Sequence, residues 1–90
     1  MLKIVVSNQF KKDLRLAKRR GLDTNKLSKV VNILASNKKL EKKYHDHVLT
    51  GNLSGFRECH IETDWLLVYR IDRDELILLL FRTGNHSDIF

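Results

Sequence analysis

"FRECHIETDWLLVYRIDRDELILLLFR", Phe56 to Arg82, decides how this chain folds. It contains three strand-like runs, Phe56 to Ile61, Trp65 to Ile71 and Glu75 to Arg82, joined by the short polar stretches "ETD" and "DRDE". Runs of that length with charged turns between them predict an antiparallel meander. "LLVY" and "LILLLF" are apolar on both alternating faces, so those strands are expected to be central and covered rather than half solvated. Helices are expected to cover one face.

Those helices are legible upstream. "LKIVV", Leu2 to Val6, reads as a short strand, and Ser7 is placed to cap a helix directly after it. In that helix Phe10, Leu14 and Ala17 form an apolar stripe, while Lys11, Lys12, Arg15, Lys18 and Arg19 occupy an adjacent arc. Gly21 supplies a stop, Asp23 or Thr24 a second cap, and Leu27, Val30, Val31 and Leu34 the buried stripe of a second helix. From Asn37 to Gly55 the periodicity disappears, which predicts mostly loop. The tail "TGNHSDIF" starts on a turn signal and ends on an aromatic, so it is expected to fold back over a sheet edge. The reading is therefore an α+β fold of order β-α-α-β-β-β, with an N-terminal strand, a two-helix hairpin and a three- to four-stranded antiparallel sheet. Ninety residues support one core, so residues 1–90 are expected to form a single domain.

Composition narrows the function. Residues 1–43 carry 13 Lys/Arg and 3 Asp/Glu, whereas residues 44–90 carry 4 and 8. The first half can attract a polyanion that the second half would repel, unless its lysines merely solvate the helices. No apolar run approaches the roughly 20 residues of a membrane span, and no signal peptide is read. One cysteine, Cys59, rules out an internal disulfide and fits a reducing cytoplasm.

Strand alternation puts Phe56, Glu58 and His60 on one face and Arg57, Cys59 and Ile61 on the other. Glu58 and His60 are then about 6 to 7 Å apart along the strand and can serve one substrate. Arg82 ends another strand, His86 and Phe90 follow on the tail, and His47 lies in the long loop. These residues supply acid or base groups, a fixed cation and a stacking ring, which is the inventory for RNA cleavage without a metal. That reaction needs a base for the 2′-hydroxyl proton, an acid for the leaving 5′-oxygen and positive charge for the transition state. Histidine, with an unperturbed pKa of about 6.5, suits both proton tasks.

Each element also has a plainer reading. A glutamate and histidine on a strand are more often a solvated pair than a catalytic one. Trp65 opens an apolar strand and reads first as core, with base stacking as a second role. Cys59 lacks an activating partner and reads as a structural thiol. "HDH", His45 to His47, has donors for a transition metal, but such loops seldom bind one, and no metal or cofactor is expected.

In "YHDHVLTG", "GFRECHIETDWLLVY" and "FRTGNHSDIF", preceded by a strand and two basic helices, the chain resembles the YafQ branch of the RelE/ParE superfamily of bacterial type II toxins. The resemblance covers essentially the whole chain. It implies a RelE-like α+β fold, a ribosome-dependent mRNA endonuclease and an acidic, DNA-binding antitoxin encoded nearby, whose complex with the toxin binds its own operator. It further implies catalytic roles for His47, His60, Asp64, Arg82 and His86, with Phe90 stacking on or positioning a base. Glu58 matches an acid in close relatives, and whether it or Asp64 acts with the histidines stays open. The roles expected on this basis are His60 or Glu58 as base, His86 as acid, Arg82 as transition-state stabiliser, and His47 and Asp64 as orienting or proton-transfer partners. Lys11, Arg15, Lys18, Arg19, Lys38 and Lys39 would dock the protein on ribosomal RNA. Two alternatives remain: a ParE-like toxin acting on DNA gyrase, which would not need the histidine set, and a non-enzymatic RNA-binding module, which would need only the charge.

Overall fold

The computed structural model describes residues 1–90. Its elements are β1 (Lys3–Val6), α1 (Asn8–Arg19), α2 (Thr24–Ala35), β2 (His47–Val48), β3 (Arg57–Glu62), β4 (Trp65–Asp72), β5 (Ile77–Gly84) and α3 (His86–Ile89). Both caps fall where the sequence puts them. The Ser7 side chain accepts the Phe10 N–H, and Asp23 accepts that of Asn25. Gly21, at φ 76°, takes the left-handed conformation that ends the first helix.

The five strands lie in the order β1-β5-β4-β3-β2. β3, β4 and β5 form the expected meander, and the α+β architecture holds. Two features go beyond the expected antiparallel sheet. β1 joins β5 in parallel, Val6 opposite Leu80, because the helix hairpin returns the chain to the far side of the sheet. β2 forms inside the stretch expected to be mostly loop, pairing His47 with Glu58 and Val48 with Arg57. Two residues are too short to show a periodicity, so only the partner strand defines it.

Helix-side residues Phe10, Ala17, Leu27, Val30, Leu34, Cys59, Trp65, Leu67, Tyr69, Leu78 and Leu80 belong to one buried cluster. Leu66 and Val68, which alternate to the opposite face, are buried as well, as expected for a covered central strand. β1 pairs only as far as Leu80, and beyond it α1 runs along the free edge of β5. The Ser7 hydroxyl donates to the Phe81 carbonyl, and the Thr83 N–H donates to the Asp13 carboxylate. α1 thus satisfies the edge that no strand covers. No helix is long and apolar enough to cross a membrane.

Candidate active site

Register builds the site. His47 lies opposite Glu58, Glu58 opposite Val68, and Val68 opposite Arg82. Cross-strand partners share a face, so these four form one row on the face away from the main core. A second row, His60, Leu66 and Gly84, lies two residues further along. Gly84 leads into α3, which carries His86, and Phe90 follows it. Register shifts between His60 and Glu62 and between Val68 and Tyr69 flank the rows, and such irregularities re-aim side chains at strand ends.

The loop end is fixed by its own chain and by β3. Asp46 accepts bonds from the Tyr69 hydroxyl at 2.6 Å and from Arg57 Nε at 3.2 Å and Nη2 at 3.3 Å. The bond to Asp46 raises the Arg57 pKa, and burial, followed by that carboxylate, pushes the Tyr69 hydroxyl up. With Asp46 anchored, His45 and His47 are presented on either side of it. His45 occupies the left-handed region at φ 50°, unusual for a residue with a side chain. There its ring meets His60 edge-on at 5.5 Å, and its carbonyl lies 2.7 Å from His47 Nδ1. His47 Nε2 is consequently directed at Glu58 Oε1, 3.4 Å away.

Glu58 is 3% exposed, and its Oε2 is buried without a hydrogen-bond partner. Its carboxylate is therefore closed off from solvent and faces His47, and this burial argues against the direct base that the sequence left open. Trp65 needs a second correction. At 2% exposure, with its indole N–H donating to Thr83 Oγ1, it is core and cannot stack on a base. Cys59 is fully buried, and desolvation pushes its thiol to about 12, which makes it inert.

The C-terminal end is held by α1. Arg82 Nε and Nη2 donate to Asp13 at 2.8 and 3.2 Å, and Nη2 also donates to the Asp88 carbonyl at 3.1 Å. Its remaining nitrogen, Nη1, has no protein acceptor, so a held guanidinium keeps one edge for an anion. Arg20 grips Asp88 through both nitrogens, and that bond is the main reason the Asp88 carboxyl lies below its usual range. Asn85 and Asp88 form a capping box at the start of α3. The His86 N–H points to Asp64 Oδ1 at 3.4 Å, and the His86 and Phe90 rings are 5.0 Å apart. Phe90 is 56% exposed. Asp64 thus stands against the tail rather than beside Glu58.

Of the residues expected to dock RNA, Lys11, Arg15, Lys18, Arg19, Lys38 and Lys39 are all exposed. Asp13, Arg20 and Asp88 carry no role in the sequence reading, and His45 and Asp46 enter it only as part of "HDH", as metal-type donors rather than as the residues that fix the loop end. Asp13 shows in the sequence as an acid on a helix otherwise charged by bases. His47 and Glu58 offer metal-type donors side by side, but no third His, Cys, Asp or Glu completes a cluster.

A five-stranded mixed sheet braced by a helix hairpin, with imidazoles and a held arginine on one face, defines a small RelE-like α+β toxin. Residues 2–90 match the family described as the bacterial toxin of type II toxin–antitoxin system YafQ, and the chain belongs to that family. It is 39% identical over 88 residues to the mRNA interferase toxin YafQ of Escherichia coli strain K12, covering 97% of this chain and 94% of that protein. The crystal structure of a metal-bound toxin from Helicobacter pylori superposes with a TM-score of 0.94 at 48% identity, covering all of both chains. The toxin in the E. coli DinJ–YafQ complex superposes with a TM-score of 0.91 at 37% identity, over 100% of this chain and 99% of that one.

Proposed function

We propose that this toxin is an mRNA interferase that cleaves messages on the ribosome by acid–base catalysis with its own side chains. The observation that carries this reading is the pair of rows, which sets His47 and Glu58 across the sheet from Arg82 with His60 alongside. The curated relative is itself named an mRNA interferase.

His60, half-buried and free of any carboxylate contact, takes the 2′-hydroxyl proton. His86, exposed on the tail beside Phe90, protonates the leaving 5′-oxygen. Arg82 Nη1 stabilises charge on the phosphorane-like transition state, with Asp13 fixing the plane of the guanidinium. His47 and Glu58 face each other at the loop end and orient one another, and Asp64 steadies the start of the tail helix. Phe90 packs on a base near the cut. The exposed basic face of α1, with Lys38 and Lys39, docks on ribosomal RNA. An acidic antitoxin neutralises the toxin, since the E. coli relative forms a DinJ–YafQ complex and the first 43 residues here are strongly basic. The toxin–antitoxin complex binds its own operator through the antitoxin.

The test is message cleavage in programmed ribosomes, read by primer extension. His60→Ala and His86→Ala should each lower the rate by about 100-fold or more, the usual contribution of a general acid or base, with unchanged circular dichroism. Gyrase supercoiling should be untouched by the wild type. If both variants cut as fast as the wild type, the assignment is wrong.

A further inference from the structure

A cavity adjoins the site described and shares His45 and His60 with it. A groove of about 720 Å³ runs between α2 and the edge of β3 that β2 leaves free. Lys26 and Lys29, one helical turn apart, stand on α2, and Lys43 and His45 come from the loop before β2. Tyr44 and Ile61, both buried, belong to its lining, and His60 belongs both to this groove and to the catalytic rows.

The charge in the groove is only partly compensated. Lys26 is tied to Glu62, the one acid among the lining residues. Lys29 and Lys43 have no carboxylate partner, although both are exposed and long enough to have sought one. Lys43 instead lies over the Tyr44 ring, 5.2 Å from its centre, which holds the ammonium near the groove while leaving its charge available. The dimensions are those of a ligand site rather than of a packing gap.

We propose that this groove holds the phosphodiester backbone of the message strand running away from His60, with Lys29 and Lys43 as phosphate contacts. The inference rests on the endonuclease reading and extends it by giving the strand a direction over the protein surface. Continuity with His60 favours the message over the two other polyanions in play, ribosomal RNA and an acidic antitoxin segment. Either of those has no reason to end at a catalytic imidazole, whereas a substrate strand must pass it.

The experiment uses the whole toxin and programmed ribosomes. The double variant Lys29→Ala/Lys43→Ala should raise KM about 10-fold and change kcat less than threefold. Its salt dependence should weaken by about 1.4 in log–log slope, two phosphates at about 0.7 each for a single strand. Messages with uncharged methylphosphonate linkages on one side of the cut, tested 5′ and 3′ separately, identify the contact. On one side the neutral linkages should raise the wild-type KM by the same factor and leave the double variant unmoved. Additive effects on both sides would place ribosomal RNA in the groove and overturn the proposal. So would a variant with unchanged KM, or one altered only in neutralisation by antitoxin. A wild-type protein that cuts no message overturns the endonuclease reading along with this one, whereas cutting indifferent to Lys29 and Lys43 overturns this one alone.

Discussion

The two ends of the site are held by different kinds of contact. At the loop end, His45, His47 and Asp46 are fixed by residues within a few positions and by the neighbouring strands, so the backbone itself aims the imidazoles. At the C-terminal end, Arg82 and the tail are fixed by side chains on α1 and at its C-cap, sixty-eight to seventy positions away in sequence. Asp13 on α1 and Arg20, the residue that caps the C-terminus of α1 seven positions on, act as paired hooks, on the end of β5 and on α3. The helix that presents a basic face to the outside thus also positions the charge and the imidazole at the tail. Local geometry at one end and distant ion pairs at the other should fail in different ways.

The largest effect is expected at the hook on β5. Asp13 is 8% exposed and accepts bonds from Arg82, Gln9 and the Thr83 N–H. Asp13→Ala leaves a partly buried guanidinium unpaired and a buried N–H without an acceptor, at a cost of about 3 kcal/mol. Urea unfolding measures the loss, and Asp13→Asn, which keeps an acceptor for Thr83 but not the charge, should lose less. Cleavage at saturation should fall in both. Stability lost without cleavage lost would show that Arg82 needs no help from α1, and the contrast between the two ends would collapse.

The loop end should respond in the opposite sense. His45→Gly relieves the left-handed strain, about 1 kcal/mol for a residue with a side chain, and should raise the urea midpoint slightly. It also removes the ring that packs on His60, so cleavage should drop about tenfold. A variant that is both less stable and fully active would mean that the strained backbone holds the fold rather than the imidazoles.

The same contrast explains what was legible in the sequence. Ser7, Asp23, the alternation at Phe56 to Ile61 and the apolar runs of β4 and β5 express local rules, and each is met in the structure. Glu58 and His60 follow from alternation alone. The burial of Glu58 does not, because it depends on what covers the strand rather than on the strand's own pattern. β2 has no pattern of its own, and the parallel seat of β1 is decided by the return of the helix hairpin. Trp65 reads first as core in the sequence, and the second role of base stacking is excluded only by its burial and by Thr83 eighteen residues on. The hooks were out of reach for the same reason: nothing near Arg82 in the chain points to Asp13.

The smallest global effect is expected at the second hook, where the local effect is nonetheless specific. Arg20 and Asp88 are joined near the surface, so Arg20→Ala should leave thermal unfolding unchanged. The tail, however, loses one of its ties, and exchange of the backbone amides from His86 to Phe90 should quicken while cleavage falls. Acid gives the same result by another route. Because the Arg20 bond holds the Asp88 carboxyl below its usual range, this contribution is fully present above the ordinary carboxylate pKa and is lost as pH falls through the lowered value. The tail amides should therefore stay protected through the pH range where free carboxylates protonate and open only below it. In Arg20→Ala that opening should move up in pH. If it does not move, the tail is held by the Asn85 capping box and by Arg82 alone, and α1 positions the site through one hook rather than two.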